Sequence, residues 1–280
     1  MQNKLLTILF TLGLFLVSMG AAVAVPATTP GGIQLAKIQG EVTLRDNVTK
    51  ATRSATGVHD ITMGTTVLTG AGGSVVLVFA NGSTINLGRD SELDVETFLQ
   101  DPFPTDIKVS DLTTEPSTSI TKLNLAKGEL VGNVKKLNTA AGSKFDVNTP
   151  VGAAGIRGTT FRIVYRPDPL NPTHVTFTVS TLEGNVLVQV ASGSTSLPVS
   201  VTQNKEVTVD VQVNIDPVTK SVTIVSPPTV LTPVALPTTT SSAILQATQD
   251  AVQATQTTLF PTTTTTPPAT TTSKTTSGDG

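Results

Sequence analysis

Residues 144–165, KFDVNTPVGAAGIRGTTFRIVY, constrain the fold of this 280-residue chain more than any other stretch. Phe145, Val147 and Thr149 alternate with Lys144, Asp146 and Asn148, the period of a strand with one buried face. Pro150 ends that run. Gly152, Ala153, Ala154 and Gly155 carry almost no side-chain volume, so the backbone there can turn sharply or press against a neighbouring strand. Alternation resumes at Thr159, with Phe161, Ile163 and Tyr165 on one face. Such a stretch needs a sheet around it, and the rest of the sequence reads as built to hold it.

From Ile33 to Val225 the pattern is strand after strand, rich in Val and Thr, with turn residues at short intervals and no sustained helical period. The expected fold is all-β, an antiparallel sandwich or short β-roll over residues 33–226. Val75 to Phe79 is apolar on both faces and therefore expects cover on both sides, as a central strand. Asn81-Gly82 follows it and predicts a hairpin. Leu99 to Ser119, broken by Pro102, Pro104 and Pro116, reads as a surface excursion where a lid or partner loop would sit. Val207 to Ile215 and Val222 to Ile224 predict a last hairpin with one wet face. Segments 38–44, 126–131 and 182–188 echo one another: a Gly, then a polar residue, then an apolar one. Their unequal spacing argues against a propeller or strict solenoid, but not against a roll with irregular coils.

The central motif, Thr149, Pro150, Gly152, Arg157, Gly158, Thr159 and Phe161, lies between an upstream G-x-L-x-x-x-V and a downstream E-G-x-V-x-V. Together these resemble the signature of FecR-domain proteins, over about residues 37–210. In the iron-citrate regulator that names the family, such a domain follows a cytoplasmic anti-sigma segment and one membrane span, and senses a transporter's signalling domain from the periplasm. The resemblance therefore implies an envelope protein working through protein contacts. This sequence departs from that plan in opening on an export signal, which predicts a stand-alone exported member without the anti-sigma segment. It departs again at Asn204-Lys205, where many members have Gly-Gln; Asn tolerates the left-handed turn.

Lys4, the apolar run from Leu5 to Val17 and Ala22-Val23-Ala24 predict a signal peptide over 1–24 and a mature chain starting at Val25, with no membrane insertion after cleavage. The expected location is the periplasm or the cell surface. Only 14% of residues are charged and the net charge is -2, which gives no field for nucleic acid. Cysteine is absent, so disulfides, thiolate metal sites and Cys nucleophiles are excluded. After Pro227 the composition turns to Pro, Thr and Ser: a linker over 227–241, a short helix over 242–260 with Leu245, Val252 and Leu259 seven apart, and a Thr/Pro-rich disordered tail over 261–280.

Candidate chemistry is sparse. His59 and His174 stand far apart and without ligand spacing. Asp90, Glu92, Asp94 and Glu96 could project from one strand face and hold a cation, but a solvated acidic row is the simpler reading. Asn47-Val-Thr49 and Asn81-Gly-Ser83 match sequons that are also ordinary turns. No nucleophile elbow, phosphate loop or carboxylate pair flanked by aromatic residues occurs, so no catalytic residue, metal or cofactor is expected. Arg157, in its small-residue passage, is expected to be buried and paired with Glu183 or Glu129. The competing expectation is an exposed Arg157 that grips an anionic partner. The function so expected is a non-enzymatic exported module for protein-protein interaction or signal sensing in the cell envelope, its partner an envelope protein or a second copy of itself. The alternative is a structural or adhesive surface protein with the Thr/Pro tail as stalk.

Overall fold

The computed structural model describes residues 27–103, 108–168, 170–192, 195–219, 221–258 and 260. The expected signal peptide, the Val25 start and the 261–280 tail lie outside the described residues. Two sheets, I and II, stack face to face. The chain opens with β1 (Ile33–Gln39) in sheet I, passes to sheet II for β2 (Val42–Asp46) and β3 (Thr52–Ser54), returns with β4 (His59–Ile61) and leaves again with β5 (Thr65–Thr69). Strands β6 (Ser74–Phe79) and β7 (Thr84–Leu87) form the Asn-Gly hairpin in sheet I, and β8 (Glu92–Gln100) joins sheet II.

β9 (Ser119–Asn133) belongs to both sheets. Its first half pairs with β8 and with β10 (Lys144–Thr149) in sheet II, its second half with β7 and with β12 (Thr160–Pro167) in sheet I. Between them β11 (Gly152–Ile156) lies in sheet II. The chain then runs through β13 (His174–Glu183) in sheet I, β14 (Asn185–Ser192) and β15 (Thr195–Thr202) in sheet II, and β16 (Lys205–Ile215) in sheet I. Sheet I thus reads β4-β1-β6-β7-β9-β12-β13-β16 and sheet II β3-β2-β5-β8-β9-β10-β11-β14-β15. Because β9 is common to both, hydrogen bonding links the strands of the two layers into one network. The named pairings are antiparallel except β9 with β10.

The echoing segments are the places where a strand changes sheet. Gly40, Gly128 and Gly184 sit at those corners with φ of 60°, 105° and 86°. At Gly128 a Cβ would fall 2.1 Å from Ser91 Oγ, so only glycine lets β9 leave one layer for the other there. The core between the sheets is apolar, with Phe79 of sheet I packed edge-to-face against Phe98 and Phe145 of sheet II at centroid distances of 5.0 and 6.1 Å. Asn204, the departure noted in the sequence, takes φ of 58° in the turn between β15 and β16.

Val75, Leu77 and Phe79 face the core, and Val76 and Val78 face outward. Their second cover is the helix α1 (Thr238–Thr257), which lays Ala251 and Ala254 on Val76, Val78, Ala36 and Val109. α1 therefore begins at Thr238 and not at Ser242. The expected last hairpin is present, β17 (Val222–Ile224) pairing with β16, and the stretch read as a linker is structured too: β18 (Thr229–Val230) and β19 (Val234–Ala235) also pair with β16. Leu245 and Val252 of the sequence's heptad point to solvent, and the helix packs through Ile244, Ala251, Ala254 and Thr255 instead. Lys37 Nζ donates to Gln253 Oε1 and Asn86 Nδ2 to the Ala247 carbonyl at 3.3 Å, fixing the helix to β1 and β7. The excursion after β8 is tied down at Val109, which is buried under α1, and at Glu115, which accepts from Ser119 Oγ and the Asn138 amide, each at 2.6 Å.

Removing residues 238–280 uncovers Ala36, Val76 and Val78 on the outside of sheet I. At roughly 1.5–3 kcal/mol per fully buried valine-sized side chain, the truncated chain should lose several degrees of its unfolding midpoint and bind an apolar dye. Calorimetry and dye fluorescence of the two chains decide this; an unchanged midpoint would mean that α1 adds nothing to stability.

Tyr165, the one tyrosine of a chain without tryptophan, points inward from β12, and burial pushes its phenol up to about 12. The unfolded phenol ionises near 10.0, so the unfolded state sheds its proton first as pH rises. Stability should hold below that value and fall as pH climbs from about 10 towards 12. A phenolate absorbance titration reads this group alone.

Candidate functional site

The outer face of sheet II is polar, and it divides into two halves. Over β2, β5, β8 and the start of β9, charged groups neutralise one another across strands. Arg45 meets Glu92 at 2.5 Å, Lys122 meets Glu96 at 2.7 Å, and Asn47 donates to Asp94 at 2.5 Å while accepting from Thr66 Oγ1 at 2.6 Å. Glu92, Asp94 and Glu96 of the sequence's acidic row are accounted for by these contacts. A bulge between Val95 and Thr97 turns Glu96 toward Lys122, and Asp90 lies in the preceding turn with φ of 53°. Among the described residues no group of three or more His, Asp or Glu side chains could hold a metal ion. His59 touches Arg53 on the short edge strands, and His174 begins β13, so the two do not meet.

Over β10, β11 and β14 the face is different. Asp146, Gly155 and Leu187 form one rung across these strands, and Asn148, Ala153 and Gln189 the next. The middle strand thus presents a glycine and an alanine between two strands bearing full side chains. The result is an open groove of about 440 Å³ running along β11, with Lys144 and Arg157 at one end. The small residues serve two faces at once. Ala154 is buried in the core and Gly152 presses on β14, where a Cβ would come 2.6 Å from the Gln189 carbonyl. Ala153 and Gly155 leave the outer groove empty of protein side chains.

The signature residues frame this groove. Thr149 Oγ1 donates to the Gly152 carbonyl at 2.9 Å across the Pro150 turn. Gly158, at φ of 80°, lies so close to Lys136 that a Cβ would stand 2.9 Å from its Cα. Thr159 exchanges backbone hydrogen bonds with Val134 at 3.0 and 3.1 Å, and its hydroxyl donates to the Asn185 carbonyl at 3.2 Å. Phe161 is wholly buried.

Arg157 is exposed, which corrects the expectation of a buried, carboxylate-paired guanidinium. Glu129 lies on the other sheet, where it binds Arg162 at 2.8 Å and Arg166 at 3.6 Å. Glu183 is exposed at the Gly184 corner and forms no ion pair among the described residues. The physical reason is that the space left by the small residues opens outward, to water, so Arg157 needs no buried counter-charge. The groove itself was not anticipated; the alternation of Ala153 and Gly155 on the polar side of the strand period is the signal that marks it.

Residues 65–187 match the family model described as FecR protein. Over that segment the chain resembles a FecR domain. The FecR match runs from β5 into β14 and includes both rungs of the groove except Gln189. Two solved structures of one protein from Parabacteroides distasonis ATCC 8503, provisionally described as an anti-sigma factor, are 15% identical to this chain, with TM-scores of 0.39 and 0.40. The overlap covers 65% of this chain and 64% of theirs. No curated protein sequence matches the chain.

Asp146, the acid of the groove, is pushed up from its ordinary value by burial, against the pull of Lys144, Lys122 and Arg157. Its folded state prefers the neutral carboxyl, so ionising it as pH rises works against folding. Asp146→Asn should therefore raise the unfolding midpoint at pH 7 and leave it unchanged at pH 3, where the carboxyl is protonated in both states. Paired thermal melts at the two pH values test this; a loss of stability at pH 7 would show that the ionised carboxylate is stabilising.

Proposed function

We propose that this chain is an exported, non-enzymatic FecR module that meets a protein partner in the cell envelope and serves signal sensing or regulation there. FecR domains act in signalling together with other proteins and are not enzymes. The single observation that carries the reading to this chain is the unneutralised half of sheet II. Within the FecR match, Lys144 and Arg157 stand exposed beside an open groove, while the other half of the same face has paired off its charges. Unpaired cations around an unfilled groove are what a surface for a partner would leave when free. Export rests on the signal-peptide pattern of residues 1–24.

Photo-crosslinking in the producing cell tests this proposal. A crosslinker at Gln189, on the groove, should capture an envelope protein, and one at the exposed Gln212 on the far side of sheet I should not. Equal capture from both positions, or none from Gln189, overturns the assignment.

A further inference from the structure

Resting on that reading, we infer that the groove along β11 takes an extended segment of the partner chain, with an acidic group of that segment set between Lys144 and Arg157. The dimensions come first. The groove is one strand wide because a single strand, β11, carries the small residues while β10 and β14 on either side carry full side chains. It is about five residues long, the length of β11. A helix is about 10–12 Å across with its side chains, while neighbouring strands lie about 4.7–4.9 Å apart, so a groove with one strand as its floor admits an extended chain and excludes a helix.

The chemistry of the walls comes second. Asn148 and Gln189 flank the same rung on opposite sides, each with an amide that both donates and accepts. That is the complement of a peptide backbone, whose N–H and C=O groups alternate. One rung along, Leu187 offers an apolar contact; it is 37% exposed, one of the few large apolar side chains this face shows to water. At the end of the groove the charge is positive: Lys144 and Arg157 are exposed and form no salt bridge among the described residues. Asp146 is the one acid among the groove's side chains; burial pushes its carboxyl up from the ordinary value, and Lys144, Lys122 and Arg157 pull against that. An acidic side chain, or a carboxyl terminus, completes that end, and a guanidinium binds a carboxylate in a bidentate fork.

The structure supplies a clean way to fill the groove. A Cβ at Gly155 would meet its nearest neighbours, Asp146 Oδ1 and the Leu187 carbonyl, at 3.5 and 3.8 Å, which is ordinary contact. Gly155→Val therefore blocks the channel with a residue suited to a strand, and should leave the fold intact. The probe is a displayed library of random octapeptides, selected on the exported chain and on two variants, Gly155→Val and Arg157→Gln. Wild type should enrich peptides carrying Asp or Glu. A peptide so selected should bind about tenfold more weakly to either variant, with melting temperatures unchanged. Replacing its acidic residue by the amide should weaken it to the same degree on wild type and not at all on Arg157→Gln. No enrichment, enrichment without acidic residues, or binding that survives Gly155→Val overturns the inference. If Gln189 still crosslinks an envelope protein in that event, the partner reading stands and only the extended acidic segment falls.

Discussion

Gly128 holds a positive φ in the middle of the longest strand of the structure, in contact with Ser91. Its consequence reaches every layer. A side chain there would have to displace the backbone of the turn before β8, and with it the point at which β9 changes sheet. Because β9 changes sheet, the chain before it and the chain after it build onto the same two layers. The strands from β1 to β8 extend both sheets on one side of β9, and those from β10 to β16 extend both on the other. Two sheets held together only by apolar contact can slide, since that attraction has no direction. A strand continuous through both fixes their register covalently. Ser91 reinforces the corner, its hydroxyl accepting from the Glu129 amide at 3.0 Å and donating to the Arg89 carbonyl at 3.0 Å.

The outer face of sheet I shows what such a double layer leaves unsolved. A sandwich covers one face of each strand, but β6 is apolar on both, and Val76 and Val78 would otherwise meet water. Cover comes from far along the chain, by a helix whose contact residues are mostly small. Ala251 and Ala254 let the helix backbone come close to the sheet, and the strands β17, β18 and β19 lead the chain there along β16. The helix adds few large side chains to the core, so its attachment depends on closeness of fit and on the polar contacts from Lys37 and Asn86.

These differences in physical origin decided what was legible in the sequence. Strand alternation and the Asn-Gly hairpin are local, and they emerged as read. The echo around Gly40, Gly128 and Gly184 was visible as a pattern, although its meaning as a set of corners needed three dimensions. The double cover demanded by Val75 to Phe79 was legible as a requirement, but its source was not. The helix that supplies it has an apolar stripe at Leu245 and Val252 that faces water, and a buried stripe made largely of alanines. Burial of alanine leaves little trace in a hydrophobic period. Arg157 failed for a similar reason: small neighbours mark a place where something comes close, but not which side of the strand it approaches from.

The two sides of β11 answer that question together. On its inner side Ala154 with Ile156 completes the apolar layer between β10 and β14. On its outer side the same economy of volume leaves a trough, because neighbouring strands are spaced by their backbones and not by their side chains. The trough is thus a by-product of close packing beneath it, and its positive end follows from the turn. Arg157 must clear the Gly158 backbone pressed against Lys136, and the free direction is outward, beside Lys144. Elsewhere on this sheet Arg45 reaches Glu92 and Lys122 reaches Glu96. Across the trough β11 has no outward side chain long enough to serve, and the acid that the two cations act on is the part-buried Asp146 of β10. Packing within the domain and the open trough outside it therefore come from one choice of small residues.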